Sequence, residues 1–335
     1  MSTVIRSPNW IGDGIMCLPA VRAFKEFFPD ERLAMAAKRY LADIYLNIPE
    51  IDEVIALPDR WAGLTGVRAL RGKGFARGIL FTNSFSSALL FRMAGIRSLA
   101  GYARDGRGGL LPDRIPATSA PAHHQHYYLN IIEHLAGRKA GRRFSAGLVV
   151  SAGEGERAVA WLREQGIAAG RPLLAVSPTA AYGGAKAWLP DRFRAFIRAW
   201  VEAHADAAVL LLGAAGERER IAAVAAGLPG SVLNLAGRLD LRRSIAVLSR
   251  CRLFVGNDSG LMHIASALSV PLVAVFGPTE PGRTAPLAER FRLLHRGADC
   301  APCRHRECPT DHRCMAAVGV EEVLAAAGEL WEGGT

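Results

Sequence analysis

Short apolar runs alternate with amphipathic segments along nearly the whole chain of 335 residues. The runs are short enough to be buried strands, and the segments between them have the apolar spacing of helices. This alternation predicts repeated βα units, in which helices cover both faces of a parallel sheet. The α/β class follows, because parallel strands can be joined only through crossovers of this kind.

The predicted strands form two series. They are Thr3–Ser7, Arg32–Ala37, Glu53–Leu57, Gly78–Thr82 and Ser98–Tyr102, then Leu173–Ser177, Ala208–Gly213, Val232–Leu235, Leu253–Val255 and Leu272–Phe276. A further short strand is predicted at Leu148–Val150. The length suits two domains, and we expect them at 1–160 and 161–335. The last helix, around Val320–Leu330, has no strand after it and is expected to pack back on the first domain.

Composition excludes disordered and fibrous classes, since 50% of the residues are apolar and 21% are charged. The chain has no run of 18 apolar residues, and its start, MSTVIRSPNWIGDG, lacks the features of a secretory signal. We therefore expect a cytoplasmic protein.

The formal net charge is +10, and its excess lies in the first half. Residues 1–150 carry 20 Lys and Arg against 12 Asp and Glu, whereas residues 151–335 carry 21 against 19. The segment 60–114 contains ten basic residues and only two acidic ones. This pattern indicates an anionic partner, such as nucleic acid, phospholipid or phosphorylated glycolipid. A solvated basic face is the alternative for any one of these arginines.

The first loop of interest follows the opening strand and reads Asn9-Trp10-Ile11-Gly12-Asp13-Gly14. A glycine on each side of Asp13 allows the backbone to approach a ligand closely and leaves the carboxylate at a helix start. The alternative is that Asp13 only caps the helix.

Two loops of the second half favour phosphate and ribose binding. Lys186 follows a run of small residues and precedes a helix that starts at Pro190. This arrangement predicts that backbone N–H groups and the single positive charge of Lys186 bind a phosphate. A solvated lysine in a surface loop is the alternative. Glu217 follows the second strand of this half at a distance at which acidic residues often bind ribose hydroxyls.

The loop Asp258-Ser259-Gly260-Leu261-Met262-His263 predicts a pyrophosphate site. The backbone N–H groups of Ser259, Gly260 and Leu261 would be unpaired at a helix start. Ser259 and His263 share a helical face, but the Gly-x-Ser-x-Gly elbow of a hydrolase is absent. The alternative is that Asp258 caps the helix and His263 belongs to the core.

Four of the six cysteines, Cys300, Cys303, Cys308 and Cys314, lie close together in sequence with two histidines between them. Such a set could close a structural zinc site, although the spacing is not that of a paired ribbon. Reduced thiols in a loop are the alternative, and disulfides are not expected in a cytoplasmic chain.

Taken together, these segments resemble the ADP-heptose:lipopolysaccharide heptosyltransferases of glycosyltransferase family 9, and the type II branch most. The segments that carry the resemblance are Asn9–Asp13, Ala185–Trp188, Asp258–His263, Phe276–Thr279 and the cysteine cluster. The resemblance implies a GT-B architecture, with two doubly wound Rossmann-like domains facing across a cleft. The first domain would bind the acceptor and the second the nucleotide-sugar.

The resemblance also implies an inverting transfer of L-glycero-D-manno-heptose from ADP-heptose to the heptosyl-Kdo-lipid A core of lipopolysaccharide. Asp13 would be the general base. Lys186 and the Ser259, Gly260 and Leu261 amides would stabilise the departing ADP, so that no metal or other cofactor is required. Glu217 would bind ribose, and Asp258 and His263 would orient the donor.

The implied acceptor is an anionic glycolipid at the cytoplasmic face of the inner membrane, where the protein would be peripheral. Asn9, Arg60, Arg92 and Arg104 are the candidate acceptor-binding residues. One departure is the Pro178-Thr179-Ala180 sequence, where type II members tend to have Pro-Gly-Ala. The donor contacts of that loop are therefore left open.

Two other functions remain as alternatives. The first is a family 9 transferase for another sugar or acceptor, including heptosyltransferase I activity. The second is a metal-containing nucleic-acid-binding protein. Against the second, the cysteine cluster lies in the less basic half and no nucleic-acid motif accompanies it, so we do not expect nucleic acid as a partner.

Overall fold

The fold is described from a computed structural model for residues 1–59, 63–116, 123–303 and 305–333. In these residues the chain forms two compact units, each with a six-stranded parallel sheet. Met1–Val149 is the first unit, and Val150–Thr335 is the second.

The first unit orders its strands β3-β2-β1-β4-β5-β6. The strands are β1 (Ser2–Arg6), β2 (Arg32–Lys38), β3 (Glu53–Leu57), β4 (Arg77–Leu80), β5 (Ser98–Tyr102) and β6 (Asp113–Ile115). The helices are α1 (Ile11–Met16), α2 (Leu18–Phe27), α3 (Arg39–Ala42), α4 (Gly63–Leu70), α5 (Phe85–Met93) and α6 (His124–Ala136), with 3-10 turns at Asp43–Tyr45 and Arg107–Leu110.

The second unit orders its strands β12-β11-β10-β7-β8-β9. The strands are β7 (Leu173–Ser177), β8 (Ala208–Leu211), β9 (Val232–Asn234), β10 (Leu253–Asn257), β11 (Leu272–Phe276) and β12 (Phe291–His295). The helices are α7 (Ala152–Glu164), α8 (Pro190–Ala203), α9 (Arg218–Ala225), α10 (Leu241–Leu248), α11 (Gly260–Ala267), α12 (Pro281–Thr284), α13 (Arg313–Ala316) and α14 (Val320–Glu332), with 3-10 turns at Gly184–Lys186 and Ala215–Glu217. Over the described residues, no helix is long and apolar enough to cross a bilayer.

Both strand orders are those of a doubly wound sheet, which confirms the predicted α/β class. The chain reverses its direction of travel across the sheet between β1 and β4 in the first unit and between β7 and β10 in the second. Ligands bind in such sheets beyond the carboxyl ends of the strands at these switch points. The loops after β1, β7 and β10 are the three that carry Asp13, Lys186 and Asp258.

The region around the expected domain boundary differs from the prediction. Residue 160 lies inside α7, and the two compact units divide before that helix. The predicted strand at Leu148–Val150 does not form. Arg22 of α2 donates hydrogen bonds to the carbonyls of Ser145 and Gly147 in the approach to this stretch, so those oxygens bind a side chain and not a neighbouring strand.

The last helix, α14, packs on the core of the second unit, and its expected return to the first domain stays a prediction. Val323, Ala327 and Trp331 are buried in the core of the second unit. The Trp331 ring meets Trp200 of α8 edge to face at a centroid distance of 5.3 Å. The apolar face of α14 therefore completes the core of the second sheet.

We expect Trp331→Ala to destabilise the second unit by about 3–5 kcal/mol, because it removes a large buried side chain and leaves a cavity. Urea unfolding followed by circular dichroism measures the loss. Leu64→Ala on α4 is the control, since Leu64 is 65% exposed and exposed substitutions change stability by about 0.5 kcal/mol at most. Equal midpoints for both variants would contradict the packing of α14.

Candidate functional site

Asp13 lies in the first turn of α1, immediately beyond the carboxyl end of β1. The N-cap of this helix is Trp10, and it makes no side-chain capping bond. Asp13 therefore is not the N-cap residue that the alternative interpretation proposed. Its side chain is 22% exposed, so the carboxylate is shielded but open to a ligand.

Gly14 explains how α1 can lie so close to the core. A Cβ atom at this position would stand 3.1 Å from the Tyr45 hydroxyl and 3.2 Å from Ile44 Cδ1. The Tyr45 ring is fully buried, and that burial raises the pKa of its hydroxyl well above the usual range. A larger residue would move α1 and Asp13 away from this support.

Two side chains of α6 hold the carboxylate of Asp13. His124 Nδ1 lies 3.3 Å from Asp13 Oδ1. Tyr128 lies one helical turn later and points its hydroxyl toward the same carboxylate. The pKa of the Tyr128 hydroxyl is raised well above the usual range, mainly by burial and then by the negative charge of Asp13. Sequence analysis missed both residues, because they follow Asp13 by more than 110 positions.

Hydrogen bonds to Asn9 hold the loop that precedes Asp13. Its side-chain oxygen accepts a hydrogen bond from Arg6 at 3.0 Å, and its carbonyl accepts one from the Tyr40 hydroxyl. The expected acceptor-binding role would therefore have to use its remaining amide hydrogens. Arg6 is buried, and this burial lowers its pKa to about 10.

The three candidate acceptor-binding arginines fall in different places. Arg60 lies outside the described residues. Arg92 lies in the last turn of α5 and donates to the carbonyl of Arg97 at 2.8 Å, just before β5 begins. It is thus at the amino end of the sheet, and its acceptor-binding role stays a prediction. Arg104 follows β5 at the carboxyl end and is exposed.

Arg107 forms a buried network at this same carboxyl edge. Its guanidinium is fully buried and donates to the carbonyls of Tyr102 and Thr82, and at 3.4 Å to the side chain of Asn83. Tyr127 donates to the same Asn83 oxygen at 2.9 Å. Burial lowers the pKa of Arg107 to about 10, so the side chain remains a cation near neutral pH.

In the second unit, Lys186 and Asp258 form an ion pair. Lys186 Nζ lies 2.7 Å from Asp258 Oδ2, and the Thr279 hydroxyl donates to the same oxygen at 2.9 Å. The side chain of Asp258 is 5% exposed and that of Lys186 is 18% exposed. The lysine is therefore held in one place by a buried carboxylate, and an ammonium in such a pair still has protons to donate to a ligand.

The start of α11 lies next to this pair. Its N-cap is Ser259, without a side-chain capping bond, so Asp258 is not the cap. The Ser259 hydroxyl is buried and has no hydrogen-bond partner among the described residues, and it is therefore not paired with His263 as a hydrolase would require. His263 is buried, with Nε2 4.0 Å from Asp258 Oδ1.

Asn257, the last residue of β10, holds both ends of the loop between β7 and α8. Its fully buried side chain accepts from the Trp188 amide at 2.8 Å and lies 3.4 Å from the carbonyls of Ser177 and Thr179. It therefore fixes the path of the chain on both sides of Lys186. This role of Asn257 was not predicted from the sequence.

Glu217 and Thr179 place unpaired oxygens beyond the ends of β8 and β7. Glu217 Oε2 accepts from the Ala214 amide at 2.8 Å, which closes the turn into α9. Its Oε1 atom and the Thr179 hydroxyl are buried without a partner in the described part of the chain. A Cβ atom at Gly213 would lie 3.2 Å from Glu217 Oε2 and 3.6 Å from Thr179 Oγ1. Glu217 Oε2 and the Thr179 hydroxyl therefore both lie close to Gly213, where Ile221 Cδ1 would overlap an added Cβ atom and leaves no room for a side chain.

The cysteine segment does not form a metal site in the described residues, where no three His, Cys, Asp or Glu side chains form a group that could hold a metal ion. Cys300 is exposed and Cys314 is buried. Burial and the neighbouring thiols raise the pKa of Cys314. The described residues therefore supply no ligand set for the structural zinc that the spacing allows.

Instead, the segment supports the loop of Lys186. The carbonyl of Arg306 accepts from the Ala185 amide at 2.9 Å, and the Glu307 carboxylate accepts from the Gly184 amide at 3.1 Å. Cys303 donates its amide to the carbonyl of Pro278 at 2.8 Å. The segment therefore connects the Lys186 loop to the loop that follows β11.

The chain matches the sequence profile of glycosyltransferase family 9 (heptosyltransferase) over residues 65–313. The chain belongs to this family. It is therefore an enzyme, a glycosyltransferase, and its two doubly wound sheets are those of the GT-B fold.

Two of the similar proteins match over most of their length, and a third matches over about a quarter. Lipopolysaccharide heptosyltransferase 2 of Salmonella typhimurium is 29% identical over 88% of each chain. The solved structure of Escherichia coli ADP-heptose lps heptosyltransferase II superposes with a TM-score of 0.86 at 25% identity, covering 99% of both chains. Lipopolysaccharide heptosyltransferase 1 of Pseudomonas aeruginosa is 43% identical, but over only 29% of this chain and 26% of its own.

We expect Gly183→Ala to loosen the Lys186 loop. Gly183 has a φ of +152°, and a Cβ atom there would overlap the carbonyl of Arg306. Hydrogen exchange of the Ala185 amide should become at least about tenfold faster, since its bond to that carbonyl would open more often. Gly230→Ala is the control, because nothing lies within 4 Å of its Cβ position. Unchanged exchange in Gly183→Ala would contradict the support by the cysteine segment.

Proposed function

We propose that the protein transfers L-glycero-D-manno-heptose from ADP-heptose to the heptosyl-Kdo-lipid A inner core of lipopolysaccharide. The observation that carries the proposal is the Lys186–Asp258–Thr279 cluster beside the start of α11. A fixed cation next to unpaired helix amides suits the diphosphate of a nucleotide-sugar. The relatives named heptosyltransferase 2 support the choice of sugar and acceptor.

The proposed reaction is a single displacement with inversion. The acceptor hydroxyl oxygen forms a bond to the anomeric carbon of heptose, while the bond from that carbon to the β-phosphate of ADP breaks. Asp13 takes the hydroxyl proton as general base. The electron pair of the broken bond leaves with ADP, and Lys186 and the amides of Ser259, Gly260 and Leu261 stabilise the negative charge.

The other residues of the second unit orient the donor. Glu217 Oε1 and the Thr179 hydroxyl are buried and unpaired in the described structure, and they suit the hydroxyl groups of the ADP ribose. Asp258 acts in this scheme through Lys186, which it holds in place, and His263 supports Asp258. No residue in this scheme needs a metal ion or an organic cofactor.

The acceptor would be recognised by its negative charges. Arg104 is exposed at the carboxyl edge that also carries Asp13, and Arg107 adds a buried positive charge beneath it. These two cations suit the phosphate and carboxylate groups of a phosphorylated, Kdo-bearing lipid. Since that lipid resides in the inner membrane, the protein would act at the cytoplasmic face of this membrane as a peripheral enzyme.

We expect Asp13→Asn to lower kcat by about 10²–10⁴-fold, because the amide cannot take a proton, while the affinity for ADP stays within about twofold.

Lys186→Ala should lower both kcat and ADP affinity, since the cation contacts the diphosphate before and during the reaction. Steady-state rates and calorimetric titration with ADP measure the two effects.

Matched controls exist for both substitutions. Asp191→Asn changes a carboxylate that is 90% exposed, and Lys139→Ala changes an ammonium that is 77% exposed; neither should alter kcat or ADP affinity. Normal turnover in Asp13→Asn would refute the base assignment. Unchanged ADP affinity in Lys186→Ala would refute the leaving-group assignment.

The acceptor is tested with purified protein, ADP-heptose and two lipids, Kdo-lipid A without heptose and the same lipid with one heptose. We expect ADP release and a product heavier by one heptose only with the second lipid. The local similarity to heptosyltransferase 1 makes the first lipid the informative comparison. Transfer to the lipid without heptose would assign heptosyltransferase I activity instead, and no transfer to either would direct the search to other nucleotide-sugars.

A further inference from the structure

His124 lies against the carboxylate of the proposed base, with Nδ1 3.3 Å from Asp13 Oδ1. It is the first residue of α6, a helix of 13 residues that packs against α1. The positive end of the α6 dipole therefore also faces the carboxylate. The His124 imidazole and this helix end therefore both lie beside the carboxylate that would take the acceptor proton.

The ionised carboxylate that a general base requires determines which tautomer of His124 can bond it. An ionised carboxylate can only accept hydrogen bonds, so Nδ1 must carry a hydrogen to bond Asp13. The other titratable groups recorded beside Asp13 are Cys17 and Tyr128. Burial raises the pKa of Cys17 to about 12 and that of Tyr128 well above its usual range, so both stay neutral near pH 7.

We infer that His124 is a positioning residue for Asp13, an inference that rests on the proposed function. Its Nδ1–H group fixes the rotation of the Asp13 carboxylate, so that one oxygen lone pair is presented to the acceptor hydroxyl. A carboxylate held by Tyr128 alone would reach this orientation only part of the time. Loss of orientation at a reacting group lowers the rate of the chemical step more than it lowers substrate binding.

The kinetic test compares three variants of the full-length protein. His124→Leu should lower kcat by about 10- to 100-fold, with KM for donor and acceptor changed by about threefold at most. His124→Asn should restore kcat to within about fivefold of the wild type, because its amide supplies an N–H donor at a similar reach. His126→Leu, on an exposed residue two positions later, is the control and should change neither parameter.

A spectroscopic test is independent of turnover. The ¹⁵N shifts of the His124 imidazole should show the Nδ1–H tautomer in the wild type, and this tautomer should be lost in Asp13→Ala. If the wild type transfers no heptose to any acceptor, the proposed function fails, but this measurement still decides whether the pair exists.

Three results would overturn the inference. The first is a normal kcat in His124→Leu, and the second is a tautomer that does not respond to Asp13→Ala. The third is a His124→Asn enzyme that is folded and yet as slow as His124→Leu, since a hydrogen-bond donor alone would then not suffice.

Discussion

The buried carboxylate of Asp258 is the constraint on which the second unit's site depends. A charge that is 5% exposed is stable only when it is paired and hydrogen-bonded. Lys186 and Thr279 supply those partners from the loops that follow β7 and β11. These two loops must therefore meet above β10, and the remaining contacts, from Asn257 and from the cysteine segment, keep them there. Removing one partner of such a pair leaves an uncompensated buried charge, so the geometry of the site and the stability of the unit are linked.

The sequence predicted the two sheets well, because a buried parallel strand is an apolar run between turns and each such run was visible. It missed one edge strand of each sheet, β6 and β12, and found the opposite edges, β3 and β9. The strand β6 has two exposed residues out of three, and β12 is at most partly buried throughout. An edge strand can lack the apolar signal because only one neighbour covers it. The short apolar stretch at Leu148–Val150 shows the converse error, since local composition favoured a strand where no partner strand is available to it.

Residues of the site could be predicted from the sequence only where they belong to a short local motif. Asp13, Lys186 and Asp258 stand in short motifs beside glycines, and the structure places each beyond the carboxyl end of a strand. The residues that hold them could not be found in this way. His124 reaches Asp13 from a distant helix, and Arg306 reaches the Lys186 loop through a backbone carbonyl. A carbonyl has no residue type, so no sequence pattern can mark a contact of that kind.

Part of the excess positive charge of the first half is buried in the fold. This burial affects how strongly the charge can attract an anionic partner. Arg6 and Arg107 are buried at the carboxyl edge of the first sheet, and their recorded hydrogen bonds go to carbonyl and amide oxygens. Carbonyl dipoles solvate a guanidinium without cancelling its charge, and at a pKa of about 10 both remain charged near neutral pH. Exposed arginines are screened by salt within about a Debye length, whereas buried charges are screened much less. The positive charge at the carboxyl edge of the first sheet is therefore a property of the folded core as well as of the exposed arginines that the composition first indicated.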